Sequence, residues 1–185
     1  MILTMTRRET ILEAALESLE AGEEVTIESV RERSGASVGS IYHHFGDKDG
    51  ILGALYAQVL GGYQAGVLRI LKSKPAAEDG IKALVRHHLR WVEKNPERAR
   101  LLLDGAARER AVGEVEALNE VLFAAIEDWI GSQEAIRSVR LEVLFSAVFG
   151  PAQTISRSWL ARQSGSLRQM EDDLADAAWR AVRSD

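Results

Sequence analysis

The sequence predicts an all-α protein of about nine helices, in which a small three-helix N-terminal domain precedes a larger helical bundle. Apolar residues recur three and four positions apart along most of the 185 residues, which is the spacing of one helix face. Only three prolines interrupt the chain, and its 46% hydrophobic and 28% charged residues are typical of a soluble protein with a substantial core. We place the boundary between the two domains, residues 1–47 and 48–185, at the start of the fourth helix.

The first helix is predicted from Arg7 to about Ala21. Thr6 and Glu9 have the spacing of a capping box, in which each side chain satisfies a backbone N–H at the helix start. Apolar residues follow at helical spacing: Ile11, Leu12, Ala15, Leu16 and Leu19. Gly22 ends the helix, and its apolar face is expected to pack on the next two helices.

The second helix is expected to begin after Thr26, a good N-cap, with Glu28 in the first turn where the helix dipole favours a carboxylate. Gly35 ends it, since glycine adopts the left-handed conformation that closes a helix without strain. Ser37 then caps a third helix over residues 38–45, and Asp47 caps a fourth that begins at Lys48. The third helix has an apolar edge made of Val38, Ile41 and Phe45, and its remaining residues face outward.

Two helices joined by a short turn that contains glycine form a helix-turn-helix, whose second helix lies in the major groove of DNA. The run TIESVRERSGASVGSIYHHFGDK, residues 26–48, resembles the DNA-binding segment of the TetR (tetracycline-repressor-like) family. The motif Tyr-x-His-Phe followed by lysine carries the resemblance, which covers the first quarter of the chain.

The resemblance implies DNA-binding residues of two kinds. Phosphate contacts are implied for Thr26, Tyr42, His44 and Lys48. Base-edge contacts are implied for Ser37, Gly39, Ser40 and His43. Hydroxyls, imidazoles and a lysine are suited to these contacts, which set the register of the protein before sequence is read.

Two other interpretations of these side chains are weighed. Taken singly, Tyr42 or either histidine could be an amphipathic side chain between two helices, but the whole set favours DNA. A metal site at His43 and His44 is disfavoured, because neighbouring residues on a helix point about 100° apart and no partner has metal-ligand spacing. No metal site is predicted.

The charge of the N-terminal domain departs from the pattern of a DNA-binding surface. Residues 1–50 contain five basic and ten acidic side chains, whereas residues 51–185 have no net charge. Affinity for duplex DNA depends on neutralising phosphates, so a basic surface is expected. Either the acidic side chains lie away from DNA, or binding is weak.

Composition excludes several function classes. The absence of cysteine rules out disulfides, thiolate metal sites and thiol nucleophiles, and it is consistent with a cytoplasmic protein. The first residues lack the features of a signal peptide, and no apolar run is judged long enough to span a membrane. There is no phosphate-binding glycine loop and no metal-ligand spacing, so neither an enzyme nor a cofactor is predicted.

The bundle begins with a long helix from Lys48 to about Lys72 that contains several glycines. These glycines either let the helix tilt in response to a ligand or let neighbouring helices approach closely. Further helices are expected around residues 81–92, 97–107, 112–130 and 135–162, with a kink or restart at Pro151, and a last one after a capping box at Ser166.

The resemblance also implies a homodimer and a small-molecule effector of unknown identity. The candidate ligand-binding residues, chosen from helix faces, are Tyr63, His88, Trp91, Leu102, Phe123 and Trp129. The candidate dimer-interface residues on the last two helices are Phe149, Ala152, Trp159, Leu174, Ala178 and Val182. His88 is also open to a simpler interpretation, as a hydrogen-bonded histidine of the core.

The function that follows is a ligand-responsive transcriptional regulator that binds a palindromic DNA operator as a homodimer and acts as a repressor released by its effector. The alternative is a helical interaction or ligand-binding module whose DNA binding is weak or lost.

Overall fold

The structure, a computed structural model, describes residues 5–184 and confirms the predicted all-α fold. Within that range the only backbone pairing of β type is one antiparallel bridge between Ile136 and Arg183. Ten α-helices and one short 3₁₀ helix follow in order: α1 (Arg7–Glu20), α2 (Ile27–Ser34), α3 (Val38–Phe45), α4 (Lys48–Lys72), α5 (Ala77–Lys94), α6 (Pro96–Leu102), α7 (Gly105–Arg110), α8 (Val112–Gly131), α9 (Leu141–Arg162), the 3₁₀ helix (Leu167–Met170) and α10 (Glu171–Val182).

The chain divides into two compact units. The first comprises Met1–Gly61 and Glu97–Glu116, and the second comprises Gly62–Pro96 and Ala117–Asp185. Both α4 and α8 contribute residues to each unit. The division follows packing, so the N-terminal unit includes α7 and the first half of α4 besides the three short helices before residue 48.

The capping predicted for the N-terminal helices is confirmed. The Thr6 hydroxyl accepts a hydrogen bond from the Glu9 amide, and Glu9 accepts one from the Thr6 amide at 2.7 Å. Gly35, with φ 62°, ends α2 in the left-handed conformation. Ser37 accepts from the Ser40 amide at the start of α3. These local bonds satisfy backbone groups that the helix leaves open, and each cap contributes about 1 kcal/mol.

The core of the first unit consists of apolar residues from five helices. The members with no exposed surface are Ile11, Ala15, Val30, Ile41, Ile51, Leu55 and Ala107. Each large side chain contributes about 1.5–3 kcal/mol through removal from water. At the surface, Arg98 donates to Glu20 at 2.7 Å, and Arg110 lies 2.8 Å from Asp49.

One prediction about α4 was wrong. Residues 50–68 contain no charged side chain, so α4 is long and apolar enough to cross a membrane by length and composition. Its apolar positions are instead used in packing: Ile51, Leu55 and Val59 are buried. Alternating burial and exposure along the helix is typical of a core helix.

Three helix boundaries differ from the predicted ones. The predicted helix over 97–107 is broken, because Asp104 caps a separate helix, α7, by accepting from the amides of Ala106 and Ala107. α9 begins at Leu141 rather than near residue 135. Ser166 caps a 3₁₀ helix before α10 instead of forming the predicted capping box: its hydroxyl accepts from the Arg168 amide at 3.2 Å and donates to Glu93.

The second unit is built mainly on the packing of α5, α9 and α10. Its fully buried side chains include Ile81, Val85, Leu89, Ala152, Ala175 and Val182. Ion pairs join α5 to α10 at the surface, where Arg86 contacts Asp172 at 2.8 Å and Arg90 contacts Glu171 at 2.6 Å. α9 remains a continuous helix through Pro151.

Candidate functional site

The third helix presents one polar face to solvent. Ser37, Gly39, Tyr42 and His43 are exposed, and half of the Tyr42 side chain is accessible. Ile41, which lies between them in sequence, is completely buried. α3 is therefore anchored by one apolar side chain and leaves hydroxyl and imidazole groups free for a partner.

Glycine sets the turn between α3 and α4. Gly46 ends the helix with φ 78°, outside the range of most residues. A Cβ at Gly50 would lie 1.8 Å from the carbonyl oxygen of Phe45, so only glycine permits this close approach of α4 to the end of α3. Asp47 starts α4 by accepting from the Gly50 amide at 2.8 Å.

The remaining candidate DNA-binding residues are partly covered. Ser40 and His44 are half-buried on α3. Thr26 is half-buried too, and its hydroxyl already accepts a hydrogen bond from the Ser29 amide at 3.0 Å. The Thr26 side chain thus has a structural task as the cap of α2, whatever else it contacts.

Basic side chains near this face are paired with carboxylates. The Lys48 ammonium lies 2.5 Å from Glu24, and this hydrogen bond lowers the pKa of the Glu24 carboxyl. Arg33 lies 2.7 Å from Glu23, and Arg31 is paired with Glu28. At least one acidic residue therefore lies beside a predicted phosphate contact instead of away from it.

Two apolar residues of the predicted α3 edge are not core residues. Val38 is 43% exposed, and Phe45 is half-buried with the Arg8 guanidinium 5.2 Å above its ring. A cation over an aromatic face is favourable. Among the three edge residues only Ile41 is fully buried, so the apolar edge is narrower than predicted.

In the second unit, a hydrogen-bonded chain joins three helices. The Tyr63 hydroxyl of α4 lies 3.1 Å from Nδ1 of His88 on α5, and the Ser156 hydroxyl of α9 lies 3.2 Å from Nε2 of the same ring. Both ring nitrogens of His88 thus have hydroxyl partners and neither has a carboxylate. This arrangement suits a neutral imidazole, which has one donor and one acceptor.

Aromatic rings surround this chain. The Tyr63 ring stacks on His87 at 5.5 Å between centroids and meets Trp91 edge-on at 5.0 Å. His88 is 6.2 Å from the Phe149 ring. The His87 ring lies against Gly66, where a Cβ would come within 2.2 Å of it.

Burial sets the protonation of these groups. It raises the pKa of Tyr63 and lowers the pKa of His88 to about 4, with a smaller lowering from the neighbouring His87. Burial also lowers the pKa of His87. Near pH 7 the cluster is therefore uncharged.

A second polar pair lies beside it in sequence. Gln64 is 3% exposed, and its amide nitrogen donates to the side-chain oxygen of Asn119 at 2.9 Å. The Gln64 carbonyl oxygen is buried without a hydrogen-bond partner. An unsatisfied buried acceptor costs about 1–3 kcal/mol, so it is the kind of atom to which a ligand donor binds.

The same unit contains an apolar cavity of about 20 Å³ between α5, α8 and α9. Its lining is Ile81, Leu84, Ile126, Trp129, Ile130, Leu141, Leu144, Phe145, Val148 and Phe149. The Trp129 indole N–H donates to the Pro75 carbonyl at 3.0 Å, and its ring lies against Gly80. Nothing in this lining carries a charge.

The structure brings together only some of the predicted ligand-binding residues. Tyr63, His88 and Trp91 form one cluster, whereas Trp129 lines the cavity. Leu102 belongs to the other unit. Phe123 is 39% exposed on α8. Over the described residues, no group of three histidine or acidic side chains is arranged to hold a metal ion.

Comparison with known proteins agrees with this geometry. Residues 11–55 match the family model of bacterial regulatory proteins of the tetR family. The regulator BetI of Burkholderia thailandensis, described as HTH-type and transcriptional, is 39% identical over 82 residues, which cover 43% of this chain and 40% of the relative. The BetI of Burkholderia pseudomallei matches to the same extent. The match thus spans less than half the length of these curated relatives.

Solved structures extend the likeness over nearly the whole chain. A TetR family regulator from Marinobacter aquaeolei superposes with a TM-score of 0.69 at 17% identity, covering 97% of this chain and 96% of that one. FadR from Bacillus subtilis, in complex with stearoyl-CoA, gives 0.73 at 16% identity and covers 94% and 98%. At these identities the likeness concerns the fold.

The N-terminal part of the chain is thus similar to the TetR family of bacterial regulatory proteins, and the whole chain has the fold of the solved structures. The family model ends at residue 55, within the first unit. The relatives named above are regulators, which agrees with the prediction that the chain is not an enzyme.

Most of the candidate dimer-interface residues lie inside the chain. Phe149, Ala152, Ala178 and Val182 are buried. Trp159 and Leu174 are half-buried, and the Trp159 indole donates to the Gly165 carbonyl. A buried side chain packs in its own chain, so a partner would meet the opposite, exposed face of α9 and α10. That face includes Val143, Thr154, Ala177 and Ala181.

The sequence analysis missed three polar residues. Gln64, Asn119 and Ser156 are spaced with the apolar stripes of α4, α8 and α9 yet are polar. A polar residue at a core position requires a hydrogen-bonding partner, and that signal was present in the sequence. The partners themselves lie 55 to 68 positions away in sequence and are visible only in the structure.

Proposed function

We propose that this chain is a homodimeric transcriptional repressor whose N-terminal domain, residues 1–47, binds a palindromic DNA operator and whose remainder, residues 48–185, binds a small-molecule effector and dimerises. The exposed polar face of α3 is the observation that carries the DNA-binding part. Such a helix, anchored on one side and polar on the other, fits the major groove.

Roles follow from the position of each side chain. Tyr42 and Lys48 are proposed to contact phosphates, as are Thr26 and His44. Ser37, Gly39, Ser40 and His43 are proposed to face base edges, with glycine permitting close approach. Exposed Val38 provides apolar surface next to them, which suits the C5-methyl group of a thymine.

Dimerisation follows from the small size of this surface. One α3 helix spans few base pairs, whereas two helices about one DNA turn apart match a palindrome. The exposed apolar and small residues of α9 and α10 are proposed as the contact, in particular Val143, Ala177 and Ala181. Small side chains allow two helix pairs to approach closely.

Effector control is proposed to act through α4. This helix has Lys48 at its first residue and, four turns later, Tyr63 and Gln64 in the aromatic and polar cluster. An effector bound at the cluster would shift α4 and change the spacing of the recognition helices, provided that it binds one state more tightly than the other. The stearoyl-CoA bound to FadR supports a ligand site in this fold. Such a regulator works in the cytoplasm.

A second function is favoured by the carboxylates around Lys48 and the arginines of α2. A helical ligand-binding module with weak or lost DNA binding would have such a surface, since ion-paired cations neutralise fewer phosphates.

Selection of binding sites from random duplexes, followed by a salt titration, tests the two proposals. We expect a palindrome to be selected and its affinity to fall with salt. Tyr42→Ala should weaken binding by about fivefold or more through loss of one phosphate contact, and His43→Ala should relax base preference.

Val112→Ala is the control for truncation of an exposed side chain of the first unit, since Val112 is 50% exposed on α8. It should bind the selected site like the parent chain. Failure to select any site at low salt, with folding intact by circular dichroism, would reject the repressor and favour the module.

A further inference from the structure

The second unit contains a layer of polar groups on four helices, made of Tyr63, Gln64, His88, Asn119 and Ser156. Gln64 and Ser156 are buried, and the other three are half-buried. We define these five residues as the polar layer. Its members are joined in two hydrogen-bonded sets, one through His88 and the other between Gln64 and Asn119. Removing polar groups from water costs free energy of folding, so a group of them in one region suggests a functional role.

The polar layer offers both a donor and an acceptor to a ligand. If Tyr63 donates to Nδ1 of His88, then Nε2–H donates to Ser156, whose own proton remains available; in the other tautomer the Tyr63 proton remains available. Either way one hydroxyl can donate outward. The partnerless carbonyl oxygen of Gln64 supplies the acceptor.

The polar layer and the apolar cavity lie along the same helices. His88 follows the cavity residue Leu84 by one turn of α5, and Ser156 follows Phe149 by two turns of α9. Asn119 precedes Ile126 by two turns of α8. With a rise of 1.5 Å per residue, the two features are about 6–10 Å apart.

Phe149 connects the two features. Its ring lines the cavity and meets the His88 ring at 6.2 Å. A movement of this one side chain would join the apolar cavity to the polar layer. The cavity itself has room for about one water molecule, so a larger molecule must open it. The open state then differs from the closed one, which is what a ligand-controlled protein requires.

The residues of the cavity and of the polar layer disfavour a charged ligand. All ten residues that line the cavity are apolar, and no ionised side chain belongs to the polar layer. A carboxylate or ammonium brought here would lose its hydration without gaining an opposite charge. An alcohol or amide needs no counter-ion, and it could accept from the free hydroxyl or donate to the free Gln64 oxygen.

We propose that the effector of this protein is an uncharged amphiphile whose apolar body enters the cavity beside Phe149 and whose hydroxyl or amide group binds the polar layer. This inference rests on the proposed effector function of the second unit. It names the chemistry of the effector, which the fold alone leaves open.

Three probes of one chain length test the charge preference: 1-octanol, octanoate and octylammonium. Binding to the intact protein is measured by isothermal titration calorimetry and by the shift of the melting temperature. We expect 1-octanol to bind and to raise the melting temperature, and both charged probes to bind at least about tenfold more weakly.

Two variants locate the site. Val148→Ile adds one methylene group to the cavity wall and should weaken 1-octanol binding by about fivefold or more, whereas Val121→Ile adds the same group at a position that is 60% exposed and should not. Gln64→Leu removes the free acceptor and should weaken binding by about three- to tenfold. Equal binding of the charged probes, no binding of 1-octanol, or no effect of Val148→Ile would overturn the proposal.

The test does not involve DNA, so its outcome is separate from that of operator selection. If 1-octanol binds as expected but no operator is selected, the ligand site stands and the repressor function fails. If an operator is selected but charged probes bind as tightly as 1-octanol, the repressor stands and the inferred effector class is wrong.

Discussion

The ammonium group of Lys48 lies 2.5 Å from the carboxylate of Glu24. The two residues are 24 positions apart and are brought together where α4 begins beside the loop before α2. Lys48 is the cation that the family resemblance assigns to a DNA phosphate, so binding must compete with this ion pair. Because exposed ion pairs are weak, the pairing of Lys48 with Glu24 should reduce DNA affinity by a measurable amount without preventing binding.

Removal of that competition should strengthen DNA binding. Glu24→Gln keeps the size of the side chain but frees the Lys48 ammonium, and we expect about a three- to tenfold tighter operator complex at low salt. The dependence of affinity on salt should also become steeper. Fluorescence anisotropy across a salt series measures both quantities.

Glu13→Gln is the matched control, because it removes one exposed negative charge from α1 at another position. Glu13→Gln should strengthen operator binding by less than half of the free energy gained with Glu24→Gln. An equal gain from both variants would show that overall charge matters and that the Lys48 pair does not.

Val38 should read a thymine methyl group. Replacement of that thymine by deoxyuridine removes one methyl, worth about 0.8 kcal/mol when buried, so the parent chain should bind about fourfold more weakly. Val38→Ala should bind the two operators equally, which gives a double-mutant cycle between one side chain and one methyl group. Equal loss in parent and variant would exclude this contact.

Replacement of Gly39 by alanine should raise the stability of the protein and lower its affinity for DNA. No heavy atom lies within 4 Å of a Cβ built there, so Gly39→Ala should stabilise α3 by about 0.5–1 kcal/mol. The same methyl group occupies the space needed for close approach to a base edge, and operator affinity should fall by about tenfold. Urea unfolding and anisotropy measure the two effects.

Gly62→Ala is the control for that substitution. Gly62 is also helical, with open space around its Cβ, and it lies outside the proposed DNA surface. It should stabilise the chain without loss of DNA affinity. If both variants bind DNA like the parent, Gly39 does not face the groove.

Stability should fall in mild acid because of His88. Burial lowers its pKa to about 4 in the folded chain from the ordinary histidine value of 6.5, so between these values the unfolded chain holds a proton that the folded chain does not. The contribution of the neutral His88 ring to the free energy of unfolding is fully present above pH 6.5. It is lost as the pH falls toward 4. From about pH 7 to about pH 5 the loss should be about 2 kcal/mol.

His88→Gln should reduce this pH dependence, since glutamine does not titrate. Urea unfolding at both pH values measures the free energies. A parent chain whose pH dependence matches that of His88→Gln would contradict the buried, neutral state of the ring.

Ala177 should lie at the dimer contact. Ala177→Arg places a long charged side chain on the exposed face of α10 and should convert the dimer to a folded monomer, observed by light scattering after gel filtration. Ala117→Arg makes the same change at an exposed position of α8 and should leave the dimer intact. A dimer that survives Ala177→Arg must use another face.

The sequence by itself determined the local structure and the resemblance to a family. The helix starts at Thr6, Thr26 and Ser37 and the glycine turn at Gly35 were predictable, because caps and left-handed turns depend on residues only a few positions apart. The third helix was predicted with its bounds for the same reason. The resemblance of residues 26–48 to the TetR family agrees with the match of residues 11–55 to the family model.

Only the tertiary structure decided which apolar stripes face the interior of the chain and which polar residues meet. Phe149 and Ala178 were assigned to a partner and lie in the core, because a stripe on one helix does not reveal what covers it. The contacts of His88 with Tyr63 and Ser156, and of Lys48 with Glu24, join residues 24 to 68 positions apart. Such pairs arise from the packing of whole helices, and no local pattern of residues encodes them.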